Sequence, residues 1–386
     1  MFGHLRHLRS AAACAAVAGV LAVSATTATG AARPAPHAPG LQQQLEALVH
    51  VQGGPPGVIV TFDRQGATNV YRAGVANLGT GRPPQPRDAM RIASVAKAFS
   101  GAVALSLVAR ATLGLDDTIG HWLPSLPASW YRVTLRQLLQ HTSGLPDYSG
   151  SPAFRAELEA DPHHVFAPDD LLSFVASEPL QFVPGTQYQY SNSDNIAVAL
   201  MAQAATGRSY EQLLGSLVFR PIGLRRTSLP TGYEMPRPYI HGYGIRDGRL
   251  TDVSTEFSAS ASWASGGIVS TPKDLNAFIK AYGGPSLLPR RVRQAQLAFI
   301  DGASEPAGPG QNSAGLALFR YVTRCGTVYG HTGNTSGYTQ FAAASPDGSR
   351  AMTFSVNAQI TANTDPTVFA TMRAIEENAV CELLRR

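Results

Sequence analysis

RIASVAKAFS, residues 91–100, opens an apolar pattern that predicts a helix from Ser94 to Ala111. Residues three apart share one face of a helix, so the Lys97 amine can reach the Ser94 hydroxyl without help from the rest of the fold. A serine hydroxyl is a weak nucleophile at neutral pH, and a lysine activates it only where burial or nearby cations lower the pKa of the amine. The positive end of the helix dipole favours a neutral amine and a developing oxyanion. The spacing therefore predicts a nucleophile and its base.

A second Ser-x-x-Lys motif runs from Ser270 to Lys273, and it has a structural interpretation. Thr271, Pro272 and Asp274 are the residue types of a helix N-cap, a first helical position and a capping-box acid. We therefore expect Lys273 to point into solvent. By themselves, the serine and lysine of the first motif are equally compatible with a capping serine and a surface lysine.

The N-terminus has the pattern of a secretory signal, predicted over residues 1–32. Arg6 and Arg9 form a positive start, and an unbroken apolar run, Ala11 to Val23, is followed by small residues. The run is too short for a stable membrane anchor. Residues 33–40, rich in proline and alanine, are predicted to be a flexible leader. We therefore expect a secreted, soluble protein, and two cleavage sites near the end of the signal fit equally well.

The chain has three cysteines. Cys14 lies inside the apolar run and would be removed with the signal. Cys325 and Cys381 would then be the two thiols of an exported chain, and such a pair usually forms a bridge in an oxidising compartment. The bridge would join a late strand to the C-terminal helix.

The charge pattern is not that of a nucleic-acid-binding protein. The formal charge of +5 comes from 31 basic and 26 acidic residues, and without the two signal arginines it becomes +3 (29 − 26). The basic residues are spread along the chain without a block. A hydrophobic content of 44% supports a large core, so residues 41–386 are predicted to form one catalytic domain.

Strand patterns lie at both ends of that domain and helical patterns lie between them. The predicted strands are residues 57–63, 68–76, 314–322, 327–331, 338–345 and 350–357, and the further predicted helices are 134–140, 168–175, 195–205, 210–218, 272–282 and 367–384. This order predicts an α+β fold in which both chain ends form an antiparallel sheet flanked by helices, with an inserted, mostly helical lobe. The sheet lobe would comprise about 41–93 and 312–386, the helical lobe about 94–311, and the cleft between them the site.

Two further segments carry polar residues suited to such a cleft. Tyr190-Ser191-Asn192 lies in a turn-rich stretch before a helix, where it can be an ordinary N-cap region. His331-Thr332-Gly333 can likewise be an ordinary strand end followed by a glycine turn. A cation, a hydroxyl and a glycine at a strand edge also suit an anionic or carbonyl group of a substrate.

Taken in order, Ser94-x-x-Lys97, Tyr190-Ser191-Asn192 and His331-Thr332-Gly333 resemble the three motifs of the serine penicillin-recognising hydrolases. This superfamily contains DD-peptidases, serine β-lactamases and related esterases. Accessory stretches at residues 138–145 and 265–275 match as well, and the resemblance extends from about Leu41 to Cys381. It implies a β-lactamase/transpeptidase-like fold and a small peptide or β-lactam as substrate. We also expect no cofactor and a monomer.

The resemblance implies acyl transfer through a covalent intermediate. Ser94 would attack the carbonyl, and Lys97 and Tyr190 would transfer its proton. The backbone N–H groups of Ser94 and Asn334 would hold the oxyanion, and water would then release the acyl group.

Within the superfamily, the chain is most similar to the secreted D-alanyl-D-alanine carboxypeptidases of bacteria. His331 stands where class C β-lactamases have lysine, and Trp263 and the late cysteine pair point to the same branch. The resemblance implies that Asn192 binds the substrate amide and that Trp263 belongs to the substrate site. His331 and Thr332 would supply polarity on the opposite wall.

One substrate-binding position departs from the carboxypeptidase pattern. There an arginine on the preceding strand grips the terminal carboxylate, whereas this chain places Phe319 at that position. Arg320 would face the other side of the strand. Loss of the charge-assisted bond to the carboxylate should weaken the preference for substrates with a free terminal carboxylate about ten- to a hundredfold. We therefore expect slow carboxypeptidase activity alongside hydrolysis of small esters or thioesters.

Other hydrolase classes fit less well. The chain has no Gly-x-Ser-x-Gly and no His-Glu-x-x-His, and His163-His164 is adjacent rather than spaced for a metal. A β-lactamase-fold esterase or a weak β-lactamase with the same residues stays open. A non-catalytic binding module is disfavoured, because it would not need Ser94, Lys97 and Tyr190 together.

The first prediction is that Ser94→Ala abolishes covalent labelling by a fluorescent penicillin and leaves the fold intact, because the acylated hydroxyl is removed. Ser270→Ala, in the second Ser-x-x-Lys motif, is the control and should still be labelled. Gel fluorescence and circular dichroism measure the two properties, and a labelled Ser94→Ala variant would contradict the assignment.

Overall fold

A computed structural model of the protein describes residues 40–64 and 66–385; the predicted signal with Cys14, and the leader before Gly40, lie outside them. The strands are β1 Gly57–Arg64, β2 Ala67–Gly74, β3 Met90–Arg91, β4 Tyr243–Arg246, β5 Arg249–Asp252, β6 Val269–Ser270, β7 Ile300–Asp301, β8 Gln311–Ala314, β9 Phe319–Thr323, β10 Gly326–Thr335, β11 Tyr338–Ala344 and β12 Arg350–Val356. The helices are α1 Leu41–His50, α2 Ala96–Ala109, α3 Ile119–Trp122, α4 Leu135–Leu139, α5 Pro152–Ala160, α6 Asp170–Ser173, α7 Asn192–Thr206, α8 Tyr210–Leu214, α9 Arg220–Ile222, α10 Trp263–Gly266, α11 Pro272–Gly283, α12 Arg290–Gln296 and α13 Pro366–Leu384.

The central element is an eight-stranded sheet in the order β2-β1-β12-β11-β10-β9-β8-β7. All neighbouring strands are antiparallel, and β1 pairs with β12 with Val60 opposite Phe354. The first and last strands of the chain therefore meet inside the sheet. This arrangement, with helices on both sides, confirms the predicted α+β class.

Alternation along β1 separates two hydrophobic cores. Val58, Val60 and Phe62 belong to a core with α1 and α13, whereas Ile59 belongs to the core of the helical side. A strand that is covered on both faces is mostly apolar, as β1 is from Val58 to Phe62 apart from the buried Thr61. The sheet is thus a rigid layer between helices, with α11 packed on β11 and β12. The division into two lobes stays a prediction.

Two helices at the centre of the helical side, α2 and α7, are buried almost completely. They pack against each other, and the Asn195 amide donates a hydrogen bond of 2.7 Å to the Ser100 hydroxyl. Such helices are apolar all round rather than amphipathic. Their first turns carry the motif residues of the sequence analysis.

The predicted hairpin and most predicted helices are present, but the single strand predicted over residues 314–322 is wrong. It is two strands, β8 and β9, joined by a tight turn in which the Gly315 N–H donates to the Leu318 carbonyl at 2.8 Å. Leu316 and Leu318 are buried inside this turn. A buried turn keeps the apolar run unbroken, so periodicity could not reveal it. Helices α1, α5 and α12 also escaped prediction.

The structure contains the predicted disulfide between Cys325 and Cys381, with Cα atoms 5.1 Å apart. It connects the β9–β10 turn to α13 on the side of the sheet covered by the C-terminal helix. Among residues 40–64 and 66–385, no helix is long and apolar enough to cross a membrane.

Replacing both Cys325 and Cys381 by serine should lower the free energy of unfolding by about 2–4 kcal/mol, because the bridge closes a loop of 56 residues. Penicillin labelling at 25 °C should persist, because neither cysteine lines the cleft described below. Denaturant unfolding measures the first effect. Two free thiols in folded protein purified without reductant, detected by alkylation and mass, would contradict the bridge.

Candidate active site

Ser94 lies where the chain changes from strand to helix. β3 pairs with β6, a single 3₁₀ turn follows at Ala93–Val95, and α2 then begins at Ala96. Ala93 has a φ of +49°, a left-handed conformation that costs about 1–2 kcal/mol for a residue with a Cβ. Its neighbours are buried, but Ser94 is partly exposed. The sharp turn therefore presents the hydroxyl to solvent at the positive end of a 14-residue helix.

Lys97 is fully buried one turn below Ser94. Its Nζ donates to the Ser94 Oγ at 3.0 Å, to the Asn192 Oδ1 at 2.7 Å and to the Ser265 carbonyl at 2.8 Å. Burial lowers the pKa of the amine to about 7, against the opposing influence of nearby carboxylates. A lysine with this pKa can take a proton at neutral pH.

Asn192 is fixed at the first position of α7 by a carboxylate. The Asp147 Oδ2 accepts from the Asn192 backbone N–H at 3.1 Å and from its Nδ2 at 2.9 Å. The amide oxygen of Asn192 is thereby turned toward Lys97. Asp147 also caps the turn Tyr148–Gly150 through the Ser149 N–H.

Tyr190 lies beside the amine, with its ring centre 4.9 Å from the Lys97 Nζ. Burial raises the pKa of its hydroxyl well above the usual value, although Ser94 moderates the shift. The group is therefore a neutral phenol at physiological pH. Within residues 40–64 and 66–385 its oxygen has no partner at ordinary hydrogen-bond geometry, so it is free to bond to a ligand at Ser94.

Strand β10 passes directly beside the nucleophile. A Cβ at Gly333 would lie 2.4 Å from the Ile92 carbonyl oxygen and 3.1 Å from the Ser94 nitrogen. Only glycine permits this approach. Asn334, the next residue, lines the cleft together with Ser94. Its side chain donates to the Ile360 carbonyl at 2.9 Å.

These residues face a cleft of about 760 Å³. Ser94, Tyr190, Asn192 and Asn334 all line it, so the structure brings together residues of the first two motifs and the residue that follows the third. Four apolar side chains also line it: Phe154, Leu158, Phe257 and Phe369. A volume of this size suits a small ligand that is partly apolar.

His331 and Thr332 are not exposed in the cleft. His331 is fully buried, donates from Nδ1 to the Thr332 carbonyl at 2.6 Å and has its pKa lowered to about 3 by burial. It is therefore neutral and cannot supply a cation to the opposite wall. The Thr332 hydroxyl donates to the Pro306 carbonyl at 2.5 Å. The segment around Pro306 covers this part of β10.

Two further predicted substrate residues lie outside the cleft lining. Phe319 is buried with its ring edge against His331, at 5.0 Å between centroids. Arg320 points the other way, as expected, and bonds to Ser313 at 3.0 Å. Trp263 is buried, and its Nε1 donates to Glu211 at 3.1 Å. The resemblance located the correct elements but not their side-chain directions.

The second Ser-x-x-Lys motif has the predicted structural role. Thr271 caps α11, because its side chain accepts from the Asp274 N–H. Ser270 is buried and bonds to Thr227 at 2.8 Å, whereas Lys273 is exposed.

Sequence reasoning missed several residues that shape the site. Asp147 and Glu305 occur in irregular segments without periodicity, so only the three-dimensional contacts identify them. A buried network also lies under Tyr190: Asp194 contacts His141 Nδ1 at 2.8 Å and accepts from Ser143 at 2.5 Å. Within the described part of the chain, no three His, Cys, Asp or Glu side chains are grouped to hold a metal ion.

The comparisons with known proteins agree with this geometry. The Beta-lactamase family profile matches residues 39–375, and the chain belongs to that family. It is a serine hydrolase of the β-lactamase fold, related to penicillin-binding proteins.

Particular relatives differ in name and in coverage. Esterase EstB of Burkholderia gladioli is 29% identical over 322 residues, which cover 72% of this chain and 81% of the esterase. Penicillin-binding protein 4* of Bacillus subtilis (strain 168) is 31% identical over 175 residues, 44% of this chain and only 38% of that relative. The structure of a D-stereospecific amidohydrolase from Streptomyces sp. superposes with a TM-score of 0.75 at 27% identity, covering 86% of this chain and 97% of that protein.

Gly333→Ala should slow penicillin acylation by about a hundredfold, the scale of a misplacement near 1 Å, because the new Cβ must push β10 away from Ser94. Gly150→Ala, next to the cleft residue Ser149, is the control, since its Cβ would meet no atom within 4 Å. Stopped-flow labelling gives the rates. Equal rates for both variants would show that this close approach is unimportant.

Proposed function

We propose that this protein is an exported acyl-serine hydrolase that cleaves small amides and esters built on D-amino acids. The observation that carries the proposal is the buried Lys97 amine at 3.0 Å from the Ser94 hydroxyl. An amine with a pKa near 7 in that position makes serine a nucleophile without a histidine.

The proposed reaction begins with attack of the Ser94 Oγ on the substrate carbonyl. Its proton passes to neutral Lys97, and the backbone N–H groups of Ser94 and Asn334 hold the oxyanion. When the bond to the leaving group breaks, the Tyr190 hydroxyl donates a proton to that group and recovers one from Lys97. Attack of water on the acyl-serine, with proton transfer in the reverse direction, restores the enzyme.

The D-configuration is supported by the name of the amidohydrolase whose structure superposes on most of this chain. D-alanyl-D-alanine carboxypeptidase activity is the form of this chemistry that the sequence motifs predict. Among the described residues, Arg155 is the single lysine or arginine on the cleft lining, and it lies on α5 rather than on the strand side. We therefore propose that carboxypeptidase activity is slow.

Hydrolysis of simple esters is the second candidate. It is supported by the match to esterase EstB, which extends over most of both chains. Esters need less assistance to the leaving group than amides, because an alkoxide is expelled more readily than an amide anion. The same serine would serve both.

Two measurements test these proposals. The purified protein is incubated with a fluorescent penicillin, an N-acylated D-alanyl-D-alanine peptide, a D-amino-acid amide and a small ester, and covalent labelling and product release are followed. N-terminal sequencing of protein from the culture medium tests export. If the protein is not labelled by the penicillin and releases product from none of the other three substrates, the acyl-serine proposal is refuted.

The pH dependence separates the proposed roles of Lys97 and Tyr190. Because Lys97 must be neutral to accept a proton, the acylation rate should fall about tenfold per pH unit below about 7 and level off above it. Lys97→Ala should lose at least about a hundredfold in rate together with this inflection. Tyr190→Phe should lose a similar factor and keep the inflection, because the base remains. Stopped-flow acylation between about pH 5 and pH 9 measures both, and near-normal rates in the two variants would remove them from the mechanism.

A further inference from the structure

Glu305 lies in the segment between β7 and β8 that covers Thr332, and the residues around it are held firmly. The Ser304 hydroxyl bonds to Tyr321 at 2.9 Å, and the Pro306 carbonyl accepts from Thr332. The Ala307 carbonyl accepts a hydrogen bond from Arg373. Three anchors within four residues fix the backbone that carries Glu305.

The Glu305 carboxylate itself is free. It lines the cleft and is exposed to solvent there, and among residues 40–64 and 66–385 it has neither a hydrogen bond nor an ion pair. A fixed backbone with an unpaired charged side chain in a ligand-sized cleft is the arrangement expected for binding an opposite charge.

The other carboxylate near the nucleophile is already occupied. Asp147 accepts hydrogen bonds at both oxygens, two from Ser149 and two from Asn192. It therefore orients Asn192 and has no capacity left for a ligand. Glu305 is the anionic side chain that remains available to a substrate.

The position of Glu305 limits which ammonium group it could bind. Glu305 lines the same cleft as Ser94 and Tyr190. The carbonyl of the next residue, Pro306, accepts a hydrogen bond from Thr332 on β10, the strand that passes beside Ser94. The carboxylate therefore belongs to the part of the cleft wall that borders the nucleophile. In a simple amino-acid amide or peptide, the ammonium nearest to the scissile carbonyl is the α-amino group of the acyl residue.

We infer that Glu305 binds the α-ammonium group of substrates with a free N-terminal amine, so that unblocked D-amino-acid amides, esters and short peptides are preferred over N-acylated ones. This inference rests on the proposed function and deepens it. It makes N-acylated D-alanyl-D-alanine peptides poor substrates, because they offer no cation to Glu305.

The test compares D-alanine p-nitroanilide with N-acetyl-D-alanine p-nitroanilide, which differ in the charge of the amine. The unmodified enzyme should have a kcat/KM about 10- to 100-fold higher for the free amine, the range of a charge-assisted hydrogen bond. Glu305→Gln should reduce this ratio to within about threefold. The N-acetyl substrate should still be hydrolysed by Glu305→Gln, because it offers no cation to the carboxylate, and its hydrolysis shows that the fold and the Ser94 chemistry are intact.

Glu256→Gln is the matched control. It removes the same charge from a residue near the cleft mouth that is already paired with Arg246 at 2.6 Å and with Ser336 at 2.6 Å. The preference for the free amine should persist in this variant. As a competition readout, D-alaninamide should slow labelling by a fluorescent penicillin more than N-acetyl-D-alaninamide does, and Glu305→Gln should remove that difference.

Normal labelling combined with equal use of both substrates, or a preference that survives Glu305→Gln, would overturn the inference and leave the proposed function in place. Absence of labelling and of hydrolysis in the unmodified enzyme would instead refute the proposed function, and this inference with it.

Discussion

The buried amine of Lys97 is the constraint on which the rest of the site depends. Three oxygen atoms accept from it, and they come from three parts of the chain: Ser94 before α2, Asn192 at the start of α7 and Ser265 in α10. An ammonium without such partners would be strongly destabilising in the interior. Burial lowers the pKa of the amine and the nearby carboxylates raise it, and their balance leaves the pKa near 7. The amine can therefore both hold and release a proton under ordinary conditions.

The environment of the Lys97 amine requires α2 to have a fixed position relative to the sheet. Strand β10 fixes that position. Gly333 lies against the backbone of Ile92 and Ser94, on both sides of Ala93. The position of β10 therefore fixes the position of the turn that leads into α2. Gln340 on β11 adds a hydrogen bond of 3.1 Å to the Arg91 carbonyl. β1 and β12, which come from opposite ends of the domain, pair in the same sheet, so the sheet that carries β10 is built from contacts distant in sequence. The hydrogen bonds of about 3 Å that position Lys97 therefore include partners that are far from it in sequence.

The sequence predicted the parts of this site that depend on local spacing. Ser94 and Lys97 are one helical turn apart, and the capping residues of Ser270–Lys273 identified that motif as structural. What escaped prediction depends on which way a strand side chain faces. His331, Thr332 and Phe319 were assigned to the substrate site from the resemblance, yet all three are buried, and the Thr332 hydroxyl bonds to the Pro306 carbonyl of the β7–β8 segment. No local sequence pattern predicts the position of the β7–β8 segment, because that segment has neither helical nor strand periodicity.

The covering segment also explains how one catalytic arrangement can serve different substrates. The nucleophile and its base belong to α2 and are determined by the core, whereas the wall opposite them is a connection between two short strands. Connections vary more freely than buried helices, since few core contacts depend on them. In this chain the connection bonds to Thr332 and presents the unpaired carboxylate of Glu305 in the cleft. The charge that a substrate meets is therefore set by the loop, while the rate at which serine can react with it is set by the buried lysine.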